Sequence, residues 1–116
     1  MHGFIKGLPY CENCSTYQAH KETRNRYAVE GADIEPAAER ITGMLNEDRI
    51  SQAMTEFSMS GIEKAERSSK FRASWIVHYC KKCNRHWYKF NLAQKAKDDY
   101  EILPQFAAEA KSEYPV

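Results

Sequence analysis

The chain lacks any apolar run approaching the roughly 20 residues that a bilayer-spanning helix requires, so no segment is expected to cross a membrane. Its opening residues, MHGFIKGLPY, lack the apolar core and small-residue cleavage site of a secretory signal. A cytoplasmic location is the resulting expectation. No glycine loop that would cradle phosphate is visible, and no nucleophile stands in an evident pairing with a base. The chain is therefore expected not to be an enzyme. Internal repeats beyond one paired motif are absent, as are low-complexity linkers. Net charge is almost absent too, at +1.

What is there fits one small domain. The 116 residues are 42% hydrophobic and 28% charged, a globular balance with room for a modest core. The small net charge hides segregation. Residues 57–97 carry ten basic and two acidic side chains, whereas 30–56 carry seven acidic and two basic, and 98–116 five acidic and one basic. A basic face with acidic neighbours is one reason to consider polyanionic partners.

All four cysteines fall in two C-x₂-C pairs, Cys11/Cys14 and Cys80/Cys83. Each such turn puts two thiolates on one side of a tight loop, and two turns supply the four ligands of one structural Zn²⁺. The 65 residues between the pairs exceed the usual spacing, but closure entropy grows only by about 0.6 kcal/mol per doubling of loop length. A disulfide pair would need an oxidising compartment, and a redox C-x₂-C would need no second copy. Iron or redox chemistry remain the competing readings. Asn84, directly after the second pair, suits a left-handed backbone; Ser15, its equivalent after the first, fits less well. A four-cysteine shell is closed, whereas hydrolysis or deamination needs an open metal position and a nearby general base. His78 and His86 are alternative ligands, but four thiols suffice, and both are read as strand-face residues.

Residues 71–79, FRASWIVHY, alternate with Phe71, Ala73, Trp75, Val77 and Tyr79 on one face, and run into Cys80. Beyond Cys83, His86, Tyr88 and Phe90 oppose Arg85, Trp87 and Lys89. The second pair is thus expected at the turn of a β-hairpin. After the first pair, Tyr17/Ala19 and Tyr27/Val29 suggest two short strands around a polar turn near 22–25. The segment between is expected to be helical. Pro36 would open a first helix with the stripe Ala37, Ala38, Ile41, Met44 and Leu45. Asn46 would cap a second, with Ile50, Ala53, Met54, Phe57, Gly61 and Ala65 inward. A last helix is expected after Asn91, with Leu92, Ala96, Tyr100 and Leu103 inward and a break at Pro104.

Two C-x₂-C knuckles, each leading into a hairpin, resemble the zinc-ribbon group. The likeness rests on Cys11, Cys14, Cys80 and Cys83 with strands 71–79 and 85–91, about half the chain. It implies one structural zinc beside a small antiparallel sheet, and binding or scaffolding rather than chemistry. The expected fold class is α+β: a small antiparallel zinc-ribbon sheet with an inserted helical hairpin and a C-terminal helix. One domain over 1–116 would comprise knuckle and hairpin 8–30, helical insert 34–70, hairpin 71–91 and helix 92–113. The leading functional expectation is a module engaging nucleic acid or the transcription machinery. Lys81, Lys82 and Arg85 are explained by the anionic thiolates alone, which leaves Lys64, Arg67, Lys70, Arg72, Lys89, Lys95 and Lys97 as the candidate surface. The alternative is a protein–protein adaptor or inhibitor that uses the metal site as a scaffold.

Overall fold

A computed structural model describes residues 10–11 and 14–112. The expectations for 1–9, 12–13 and 113–116 lie outside the described residues. The fold is α+β: two helices and a four-stranded antiparallel sheet, with a small two-stranded sheet beside it. A short hairpin pairs β1 (Tyr10–Cys11) with β2 (Thr16–Tyr17). Then follow β3 (Ala19–Ala28), α1 (Gly31–Asn46), α2 (Ile50–Met59), β4 (Phe71–Tyr79), β5 (His86–Ala96) and β6 (Asp99–Ser112). The large sheet is ordered β3-β4-β5-β6, so the helical hairpin is inserted between two neighbouring strands.

The core forms where the helices cover one face of this sheet. Ile34, Ala38, Ile41 and Leu45 of α1 and Ile50, Ala53 and Phe57 of α2 meet Phe71, Ala73, Trp75 and Val77 of β4 and Tyr88, Phe90 and Leu92 of β5. The alternation read along 71–79 is thus borne out at both strand ends, since β4 spans those same residues. The opposite face is partly covered, with Ser74, His78, Trp87 and Ala93 buried. It carries Asn25, Ser74 and Asn91 side by side, and the Ser74 hydroxyl donates to Asn25 Oδ1 at 2.7 Å.

Six expectations are corrected. The last helix does not form: β5 runs on to Ala96, turns at Lys97 and Asp98, and returns as β6. Leu92, Ala96 and Tyr100 are four apart, a spacing that satisfies a helix but also keeps one face of a strand. The hydrogen-bonding edge of β5 decides the outcome, because an unpaired central edge is costly and β6 fills it. Pro104 lies where β6 leaves the ladder: Ile102 pairs with Ala93 and Ala107 with Asn91, so its missing N–H breaks no pairing.

The first helix begins at Gly31, ahead of Pro36, which sits inside it. Asn46 ends α1 rather than capping α2. Asp48 takes the left-handed conformation (φ 59°) after it, and Arg49 N–H donates to Met44 O at 2.8 Å. The helical insert also stops at Met59 instead of continuing to 70. Gly61, read as part of the apolar stripe, adopts φ +61° and turns the chain so that Ile62 pairs with Tyr27. Finally, the two short strands expected around residues 22–25 are one continuous strand, β3, with only a bulge between His20 and Glu22.

Gly61 supports a direct prediction. A Cβ there would lie 2.9 Å from Tyr27 O, in a backbone region that costs an ordinary residue about 1–2 kcal/mol. Gly61→Ala should lower the denaturant midpoint accordingly. A midpoint equal to that of the parent chain would contradict it.

Candidate metal centre

The two C-x₂-C turns arrive at one point from hairpins far apart in sequence. Cys11 ends β1 and Cys14 opens the turn into β2, while Cys80 and Cys83 bound the tip between β4 and β5. Each turn is sharpened in the same way. The residue after the second cysteine is left-handed in both, Ser15 at φ 50° and Asn84 at φ 62°. Asn84 was legible from its tolerance of that conformation; Ser15 does the same against its preference. At the second turn, Asn84 N–H donates to Cys80 O and Cys80 N–H to Arg85 O, each at 2.9 Å.

The four sulfurs all lie within 4.8 Å of one another, with Cys11 and Cys83 Sγ 3.7 Å apart. A tetrahedron with metal–sulfur bonds of about 2.3 Å has sulfur–sulfur edges of about 3.8 Å. The donor set therefore fits one tetrahedral ion, and none of the four is in a disulfide. Cys11 and Cys80 are fully buried, whereas Cys83 is open to solvent.

The electrostatics point the same way. Burial, followed by the neighbouring thiols, pushes Cys14 up to about 12. Backbone N–H groups of Cys83 and then Lys82 hold Cys80 down at about 6, against its burial. Four thiols this close cannot all ionise without a cation between them.

Trp87 completes the site. It is buried with Cys11 and Cys80, and Cys14 packs against the same cluster, separate from the main core. Strand alternation had put Trp87 on the polar face opposite Tyr88; the signal that could have flagged it is a large aromatic four residues past a ligand. Neither histidine joins the thiols. His86 is buried, its Nδ1–H donating to Asn84 O at 2.8 Å while Nε2 accepts from Lys21 Nζ at 3.3 Å. His78 is buried on the other sheet face, edge-on to His20, and burial, then Lys89 and His20, lowers its pKa. The chain has one H-x-E triplet, His20-Lys21-Glu22, the kind of motif a zinc deaminase uses. Its histidine bonds Thr23 Oγ1 at 2.6 Å and is outside the cysteine cluster.

Of the seven basic candidates, Lys89 stands apart from the others. Lys70, Arg72 and Lys95 gather at the sheet end away from the knuckle, where Lys95 N–H donates to Lys70 O at 2.7 Å, and Lys97 is in the adjoining turn. Arg72 lies over the Tyr100 ring at 4.7 Å, beside Tyr27. Lys64 and Arg67 are exposed in the loop before β4. Lys89 is in mid-sheet and pairs with Glu109 at 3.6 Å. The corrected β6 explains the position of Lys89. It sets Glu109 opposite Lys89, whereas Asp99 and Glu101 lie opposite the uncharged Ala96 and Gln94.

The four-cysteine cluster is consistent with a zinc-ribbon-like site that could hold one metal ion. No helix of the described residues is long and apolar enough to cross a membrane. No family model matches the chain, and searches of curated proteins and of solved structures find no match either.

Proposed function

We propose that this chain is a non-catalytic, zinc-stabilised binding module whose partner is a protein. The observation that carries the reading is the convergence of Cys11, Cys14, Cys80 and Cys83 to tetrahedral spacing, a closed thiolate shell. Zinc is the ion best matched to such a set, and a closed shell offers substrate no position. Protein is favoured over nucleic acid because Lys89, in mid-sheet, is paired with Glu109, so the basic side chains of β5 form no continuous positive stripe along the strand.

A second reading, nucleic-acid binding, draws on the Tyr27, Arg72 and Tyr100 group flanked by Lys70, Lys95 and Lys97. Rings and cations of this kind stack on bases and neutralise phosphates. One salt series separates the two. The zinc-loaded chain is titrated with single- and double-stranded DNA and RNA from about 50 mM salt upward. No binding at the lowest salt is expected. Tight binding that falls steeply with salt, and is weakened by Lys95→Glu, would establish the second reading instead. Elemental analysis should find about one zinc per chain; a substantially lower content would refute the metal assignment.

A further inference from the structure

Among the described residues neither edge of the four-stranded sheet pairs with a further strand, but the two edges are not equivalent. The β6 edge carries two of the devices that discourage strand addition, a proline and an irregular break in the ladder, at Pro104 and between Asn91 and Ala93. The β3 edge has no proline, and its one bulge is near the end, between His20 and Glu22. Along this edge the hydrogen-bonding parity is fixed by one contact. Tyr27 and Ile62 exchange both backbone bonds, Tyr27 N–H to Ile62 O at 2.8 Å and Ile62 N–H to Tyr27 O at 3.0 Å. Tyr27 therefore turns its backbone groups away from β4, and by the period of the antiparallel ladder so do Asn25 and Thr23. Neither of these has a backbone partner among the described residues. The chain's own loop thus occupies the last pairing position of the edge, and among the described residues the next two are vacant.

Beside those positions is a groove of about 400 Å³ between residues 23–27 and Glu63, Lys64 and Ala65. Its charge is mostly of one sign. Arg26 is held alongside by donating to Ser58 O at 2.7 Å, Arg24 lies 5.9 Å from the Phe57 ring, and Lys64 is exposed on the facing wall, against the single acid Glu63. These cations oppose pairing with a second β3, which carries the same charges.

We propose that the outer edge of β3 around Thr23 and Asn25 is the docking site for an acidic, extended peptide segment of a partner protein. The segment adds to the sheet as a further strand and places its carboxylates against Arg24, Arg26 and Lys64. This rests on the protein-binding reading above and names the surface and the chemistry it selects.

The test uses the full zinc-loaded chain and a capped octapeptide alternating glutamate with valine, with lysine in place of glutamate as the control. Binding is followed through backbone amide signals. The glutamate peptide should bind and the lysine peptide should not, with the largest shifts at Thr23 and Asn25. Thr23→Pro removes one outward N–H and should weaken binding about tenfold, whereas Thr23→Ala should not change it. Lys64→Glu, on an exposed loop, should weaken binding several-fold and decides the matter if the proline variant does not fold. Equal binding of both peptides, shifts confined to another surface, or undiminished binding by folded Thr23→Pro or by Lys64→Glu would overturn the proposal. Absence of glutamate-peptide binding would overturn it too. A lysate partner captured equally by the parent chain and by Lys64→Glu would sink the β3 site while leaving the protein-binding reading intact.

Discussion

Replacing Cys80 with serine is expected to lower the thermal midpoint by more than about 10 °C. Cys80 is completely buried, and it is the sulfur toward which the backbone N–H groups of Cys83 and Lys82 point. Losing it removes one of four ligands and leaves three thiols crowded around an incomplete site. Structural zinc contributes about 10–16 kcal/mol in peptides that have no other core. This chain has a separate core under its helices, so the loss should be smaller, on the order of 3–5 kcal/mol. For a domain near this size each kcal/mol is worth about 4–8 °C. The measurement is a melting curve with and without a strong chelator. Chelation should reduce the parent chain to nearly the variant's midpoint and change the variant little. The fluorescence of Trp87, buried against Cys11 and Cys80, should shift in parallel. A parent midpoint indifferent to chelation would contradict the structural role of the metal.

Phe57→Ala is expected to cost about 3–5 kcal/mol, the range for removing a buried aromatic ring. Phe57 is fully buried and is the aromatic side chain through which α2 reaches the sheet, with ring centroids 6.0 Å from Trp75 and 6.2 Å from Phe90. Collapse around the cavity is limited because the flanking Ile50 and Ala53 are already packed. Denaturant unfolding reads the loss directly. Because Phe57 belongs to the main core and Cys80 to the metal cluster, the two losses should add to within about 0.5 kcal/mol in the double variant. The double variant must be assayed where both single variants remain folded. Strong non-additivity would mean that the clusters act as one.

The parts of this molecule that were legible from sequence are those where two independent signals agree. In 71–83 strict alternation runs into a C-x₂-C turn, and both the strand and the hairpin tip are where those signals place them. The helical hairpin was legible in its stripe, since Ala37, Ala38, Ile41 and Leu45 are all buried, but not in its ends. Its punctuation is a left-handed aspartate at 48 and a glycine at 61, and both also fit a helical pattern. The C-terminal third was misread because Leu92, Ala96 and Tyr100 are four apart, a spacing that satisfies both periods. Helix-favouring residues such as Ala, Gln, Lys and Glu then tip a local reading the wrong way. What makes the segment a strand is the edge of β5, a partner no local window contains. The pairing of Lys89 was illegible for the same reason, since Glu109 meets it only once β6 exists.

The ligand set is divided by the whole helical hairpin and by two strands of the sheet, with Cys11 and Cys14 before them and Cys80 and Cys83 after. During synthesis the first pair emerges alone, and two thiolates by themselves would supply only half of a tetrahedral shell. Durable retention must wait until β4 and β5 have formed and delivered the second pair to the first. An ion held by all four thiols would therefore report a finished topology: a chain stalled before residue 83 would lack half of its ligands, and a loaded chain would have brought its two hairpins together.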